Sequence, residues 1–149
     1  MNSQVPFFVS IPHAGEFIPP EARWLKNLPD PILMCDVDRY VNLLYTPIIE
    51  KLHIPAIVGW IHRYVIDLNR PPEDVDKRTV AGAGEPRSLL PGGLHWYKTT
   101  KGRVLLHTPL SKYTHIKLMK AHYYPFHELI ANRYVEFERL GHAQVYHLD

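Results

Sequence analysis

The stretch Val5-Pro6-Phe7-Phe8-Val9-Ser10-Ile11-Pro12-His13-Ala14-Gly15-Glu16 decides how this 149-residue chain is read. Its first seven residues form a nearly unbroken apolar run. Such a run makes a strand buried on both faces, the habit of parallel sheets in α/β proteins. The chain then turns through Pro12 and Gly15, with a histidine between them and a carboxylate three residues beyond it. In an open α/β sheet, ligands bind in the crevice past the carboxyl ends of the strands, and His13 and Glu16 fall there. Imidazole and carboxylate on one loop supply half of a zinc site, because Zn²⁺ accepts nitrogen and oxygen and a catalytic ion needs three protein ligands. A plainer reading stays open at this point, with His13 a turn residue and Glu16 solvated.

Composition bounds the rest. A chain of 149 residues that is 46% hydrophobic and 21% charged fits one soluble globular domain over residues 1–149 with a proper core. A net charge of +2, carried on dispersed Lys and Arg, argues against nucleic acid and against an anionic membrane surface. The single Cys35 excludes an internal disulfide. No apolar segment approaches the roughly 18 residues that a membrane span needs. No basic stretch followed by an apolar one opens the chain, so the cytoplasm is the expected location.

Working outward from the first loop, residues Pro19 to Lys26 suit a short helix and Asn27 to Pro31 a connector. A longer helix is expected from Asp36 to about Leu52. Val37, Tyr40, Val41, Leu44, Ile48 and Leu52 give it one apolar face, and Pro47 should kink it. Asp36 suits its N-cap and Asp38 its first turn; alternatively, one of the two completes a metal site or orients His13. Ile54 to Leu68 reads as a second buried strand, or two with a bend at Gly59. It runs into Arg63-Tyr64-Val65-Ile66-Asp67-Leu68-Asn69-Arg70. Arg70 is shaped to hold a carboxylate through two parallel hydrogen bonds, with Asn69 adding orientation. The alternative is that Arg70 pins a loop by pairing with Asp67, Glu73 or Asp74.

Pro71 to Gly93 lacks periodicity and reads as a lid, a binding loop or a disordered segment. Leu94 to Tyr97 and Arg103 to His107 flank a Gly-containing turn and suggest a β-hairpin. Ser111 suits the cap of a long helix ending at Leu140, with Gly141 as its stop. Most of its aromatics are expected in the core, Pro125 should bend or split it, and His122 and His127 read as interior histidines. Ala143 to Leu148 makes a third strand.

Several of these stretches carry a resemblance. Ser10-Ile11-Pro12-His13-Ala14-Gly15, Asp36-Val37-Asp38 and Arg63 through Pro72 resemble the N-formylglutamate amidohydrolase family, in family order. So do Gly93-Leu94 leading into the Thr99-to-Leu106 hairpin, Pro109-Leu110, and Tyr124-Pro125-Phe126-His127. The resemblance implies a three-layer α/β/α sandwich around a mixed, largely parallel sheet, of the phosphorylase/hydrolase-like type shared with zinc carboxypeptidases and aspartoacylases. It implies a zinc-dependent hydrolase acting on a small N-acyl amino acid, in the named case N-formyl-L-glutamate during histidine degradation. His13 matches the first zinc ligand. Glu16 would complete a His-x-x-Glu pair, with Asp38 as the rival second ligand. Asn69 and Arg70 resemble the pair that grips a substrate carboxylate, and Arg63 stands close by.

The family pattern continues beyond Asp149 with a His-Ser that carries the other histidine ligand, and further on a catalytic Glu. The catalytic base is therefore expected outside these residues; His147 comes slightly early to be the ligand unless the register shifts. The chain is accordingly expected to be the front part of a longer protein or a shortened homologue. Two alternatives accompany the amidohydrolase: a cell-wall amidase of the same fold, and a non-catalytic carboxylate-binding homologue. The oligomeric state is left open.

Overall fold

The computed structural model describes residues 5–86 and 92–149. Phe7–Ile11 forms β1, the middle strand of a three-stranded parallel sheet ordered β2-β1-β3, with β2 at Ala56–Val58 and β3 at Tyr146–Leu148. The register sets Val9 opposite Ala56 on one side and Phe8 opposite His147 on the other. A central strand covered on both faces needs apolar residues at nearly every position, and Phe8 through Ile11 are all buried. The described residues also form four α-helices, α1 (Asp30–Leu33), α2 (Val41–Leu52), α3 (Lys112–Leu118) and α4 (Tyr124–Arg139). The α/β architecture expected from the first strand is present.

The core gathers Phe8, Leu25, Tyr64, Ile66, Leu94, Leu105, Leu118 and Phe137. Helix α4 lies on β1 through aromatic contacts, with the Tyr134 ring edge-on to Phe8 at 5.1 Å and Phe137 at 6.5 Å. Helix boundaries on this side follow the sequence. Ser111 Oγ accepts the Thr114 N–H at 3.0 Å and caps α3. Pro125 cannot donate into the helical ladder, and a π-turn over Met119–Tyr123 separates α3 from α4 just ahead of it. Gly141, at φ +87°, ends the helix. His127 is a satisfied interior histidine, with Nε2 3.0 Å from the Leu68 carbonyl.

Elsewhere the chain departs from expectation. Residues 27–31 are not a plain connector, because α1 starts at Asp30 and runs into a 3₁₀ turn over Met34–Asp36. Helix α2 begins at Val41, not Asp36, and its N-cap Tyr40 sits at φ 68° with no side-chain cap. Asp36 caps nothing; its carboxylate accepts from the Tyr64 hydroxyl at 2.5 Å and from Thr100, and so latches the hairpin turn. The apolar face of α2 is open among the described residues: Leu44 is 76% exposed, Leu52 57% and Ile48 51%. Strand β3 lies at the edge of the three-stranded sheet with Tyr146 and Leu148 exposed.

The segment after Gly59 is not a strand. Val65 N–H bonds the His62 carbonyl in a turn at 2.8 Å, yet Tyr64 through Leu68 are buried. The hairpin is a single bridge, Lys98 to Val104, closed by Gly102 at φ +84°. Residues 87–91 of the Pro71-to-Gly93 loop lie outside the described residues. Among the described residues no helix is long and apolar enough to cross a membrane.

Candidate metal and substrate site

The carboxyl ends of β1 and β3 open into a cleft of about 310 Å³ lined by Ser10, Pro12, His13, Asp38, Asn69 and Asp149, with Val41 and Tyr45 of α2 on its wall. The loop that carries His13 is drawn in tightly by Gly15. A Cβ at that position would lie 2.3 Å from the Trp60 carbonyl carbon, so only glycine allows the loop to rest on that backbone. Asp38 is brought to the same place by its own backbone, whose N–H bonds the His13 carbonyl at 3.1 Å.

His13 is held from behind. Its Nε2 lies 2.7 Å from Asp67 Oδ1, and Asp67 is fully buried. Burial pushes the Asp67 carboxyl up. The His13 hydrogen bond, then the charges of His13 and Arg63 and the Trp96 N–H, outweigh it and hold the group at about 2. An ionised carboxylate only accepts, so Nε2 is the donor and Nδ1 is the nitrogen turned to the cleft. That nitrogen stands 3.5 Å from Asp38 Oδ2. At this distance the two groups can share a proton, as an ion pair, or a metal ion. Two donors each about 2.0–2.2 Å from one tetrahedral zinc stand roughly 3.4 Å apart, so the pair fits a shared ion. The backing carboxylate is the usual outer partner of a metal-ligating histidine.

The fit covers two donors. Glu16 turns away to the surface, where Arg39 grips it with Nε at 2.7 Å and Nη2 at 3.2 Å. No group of three His, Cys, Asp or Glu side chains placed to hold a metal occurs among the described residues. His147 faces elsewhere: the β1 pairing fixes its register, its ring stacks on Phe8 at 4.2 Å, and Nε2 sits 2.8 Å from Ser10 Oγ. Ser10 Oγ also donates to the Asp149 carboxylate on the cleft floor.

The substrate-side residues divide. Asn69 lines the cleft. Arg70, next in sequence, is half-buried and is not among the residues that line the cleft; its carbonyl is taken by the Tyr123 hydroxyl at 2.8 Å. Among the described residues its guanidinium has no ion pair with Asp67, Glu73 or Asp74, so it is not the loop pin that those neighbours suggested. Arg63 does not line the cleft; Nη2 bonds Asp67 Oδ2 at 3.1 Å and Nη1 bonds the Asp36 carbonyl at 2.7 Å. Its guanidinium is committed to holding Asp67 and is not free to take a substrate carboxylate. Sequence reasoning missed Asp67 as the residue behind His13. The signal was its place two residues before Asn69, at the end of a buried run.

The comparisons with known proteins follow the same lines. The family model for N-formylglutamate amidohydrolase matches residues 5–149. The chain superposes on the crystal structure of N-formylglutamate amidohydrolase from Ralstonia eutropha JMP134 with a TM-score of 0.77 at 20% identity, over 96% of this chain and 51% of that one. The chain thus spans about half the length of that structure. No curated protein matches.

Proposed function

The chain belongs to the N-formylglutamate amidohydrolase family, and on that premise we propose that it forms part of a zinc-dependent amidohydrolase that cleaves N-formyl-L-glutamate or a related N-acyl amino acid. The observation that carries this reading is the 3.5 Å approach of His13 Nδ1 to Asp38 Oδ2, in a cleft that Asn69 also lines. His13 and Asp38 are the two donors, and a catalytic centre needs a third beyond the described residues. Glu16 stays a rival to Asp38, since releasing it from Arg39 breaks an ion pair whose partners are 39% and 40% exposed and such pairs contribute only about 0–1 kcal/mol. The chemistry a bound zinc supplies is polarisation of the acyl carbonyl and a water acidified to near neutral pH.

The chain's own residues set the stage for that chemistry. Asp67 holds the Nε2 proton of His13 and keeps Nδ1 turned to the cleft. Asn69 lines the cleft, and the adjacent Arg70 would have to turn its guanidinium into it to give the substrate carboxylate a planar two-point grip. A second reading keeps only the carboxylate-side residues, with Asn69 in the cleft: a carboxylate-binding homologue that does not turn over substrate. Calorimetric titration with glutamate, N-formylglutamate and cell-wall amides, with and without zinc, separates these. Zinc-dependent binding of N-formylglutamate supports the amidohydrolase reading; glutamate binding indifferent to zinc and to His13→Ala supports the second.

A further inference from the structure

Four donors converge on one buried carboxylate. Asp67 Oδ1 accepts from His13 Nε2 at 2.7 Å and from the Asn69 N–H at 3.0 Å. Asp67 Oδ2 accepts from Arg63 Nη2 at 3.1 Å and from Trp96 Nε1 at 2.8 Å. A carboxylate tied at one oxygen can still rotate about its Cβ–Cγ bond; one tied at both cannot. The oxygen facing away from His13 is anchored by a side chain 29 residues along, on the hairpin.

Trp96 is itself fixed in place. The Arg63 guanidinium lies 4.7 Å over its ring and Tyr64 packs at 5.4 Å. On another side Gly92 comes so close that a Cβ there would lie 2.7 Å from Trp96 Cε2. An indole N–H only donates, so its bond to Asp67 has one direction. We propose that Trp96, together with Arg63, is a positioning residue for His13: the indole and the guanidinium fix Asp67, and Asp67 fixes which ring nitrogen His13 presents to the cleft. Trp96 as plain core filling would have no such effect on the His13 ring.

The proposal rests on His13 being a zinc donor for its affinity consequence, but its tautomer consequence needs no metal. The experiment is ¹H–¹⁵N NMR of the histidine rings in the metal-free full chain at pH 8, for wild type and Trp96→Phe, followed by titration with Zn²⁺ alone. The wild-type His13 ring should show a protonated Nε2 and a bare Nδ1. Trp96→Phe should mix the two tautomers and weaken zinc binding about tenfold, the lower end of what outer-partner changes cost.

An unchanged His13 ring in Trp96→Phe, or a wild-type proton on Nδ1, overturns the proposal. Zinc that fails to bind the wild type while the tautomers behave as expected sinks the zinc function and leaves the positioning role standing. Should Trp96→Phe not fold, Arg63→Lys carries the same test, because an ammonium cannot reproduce the planar fork that bonds Asp67 and the Asp36 carbonyl. In the wild type the Trp96 indole proton must also exchange slowly with solvent; fast exchange overturns the proposal without any variant.

Discussion

Acid should unfold this protein early, and the reason lies in two buried histidines that are complete only when neutral. His62 gives its Nε2 proton to the Leu33 carbonyl at 3.0 Å and accepts the Tyr64 N–H on Nδ1 at 3.0 Å. His95 donates from Nδ1 to the Val65 carbonyl at 2.8 Å, and its Nε2 receives the His115 Nδ1 proton at 3.0 Å. A further proton on either ring has no acceptor to meet and destroys a bond already made. Burial accordingly lowers both groups from 6.5 to about 4.

A folded value below the unfolded one means that the unfolded chain takes up protons first as the pH falls. Stability is therefore full above 6.5 and drains away between 6.5 and 4. At pH 5 each histidine should cost about 2 kcal/mol relative to pH 8, about 4 together, against a typical total of roughly 5–15. His115, His122, His127 and His147, all lowered by burial, add to the same trend. Urea unfolding at pH 8 and pH 5 measures the difference directly. Stabilities within about 1 kcal/mol of each other at the two values would mean that His62 and His95 are not held neutral by the fold.

Arg70→Ala should weaken glutamate binding by about 1.5–3 kcal/mol, and Arg70→Lys should not restore it; unchanged affinity in calorimetry would make Arg70 structural. Gly15→Ala forces a Cβ to within 2.3 Å of Trp60 and should cost about 1–3 kcal/mol while shifting the His13 loop, visible as a lower melting temperature and altered His13 ring signals. The exposed stripe on α2 should drive concentration-dependent self-association that Leu44→Glu plus Ile48→Glu reduces; equal sedimentation behaviour of the two proteins would count against it.

Legibility followed locality. The first strand could be read because an uninterrupted apolar run has few uses other than a doubly covered strand, and Ser111 and Gly141 because caps are local chemistry. Periodicity showed that α2 has an apolar face but not whether anything covers it, and it placed the start of the helix at Asp36 because nothing in sequence announces a left-handed Tyr40. The same limit shaped the site. His13 was legible from residue type past a strand end, Asp38 from its place beside Asp36 and Asn69 from its pairing with Arg70, and all three line the cleft. Asp67 meets His13 across 54 residues and Trp96 across 29, separations no spacing rule spans. Glu16 sits three residues from His13, yet Arg39, 23 residues on, draws it to the surface. Arg63 beside the Asn-Arg pair looked like a ligand grip, and its guanidinium is spent on Asp67.

The proposed zinc site needs His13 and Asp38 to act together. Titration of the purified chain with Zn²⁺ against a competing chelator dye, for wild type, His13→Ala, Asp38→Asn and Glu16→Gln, decides whether they do. The wild type should bind zinc weakly, one to one, and both His13→Ala and Asp38→Asn should abolish that binding while Glu16→Gln leaves it intact. Binding that survives His13→Ala, or that Glu16→Gln removes while Asp38→Asn does not, would contradict the shared site.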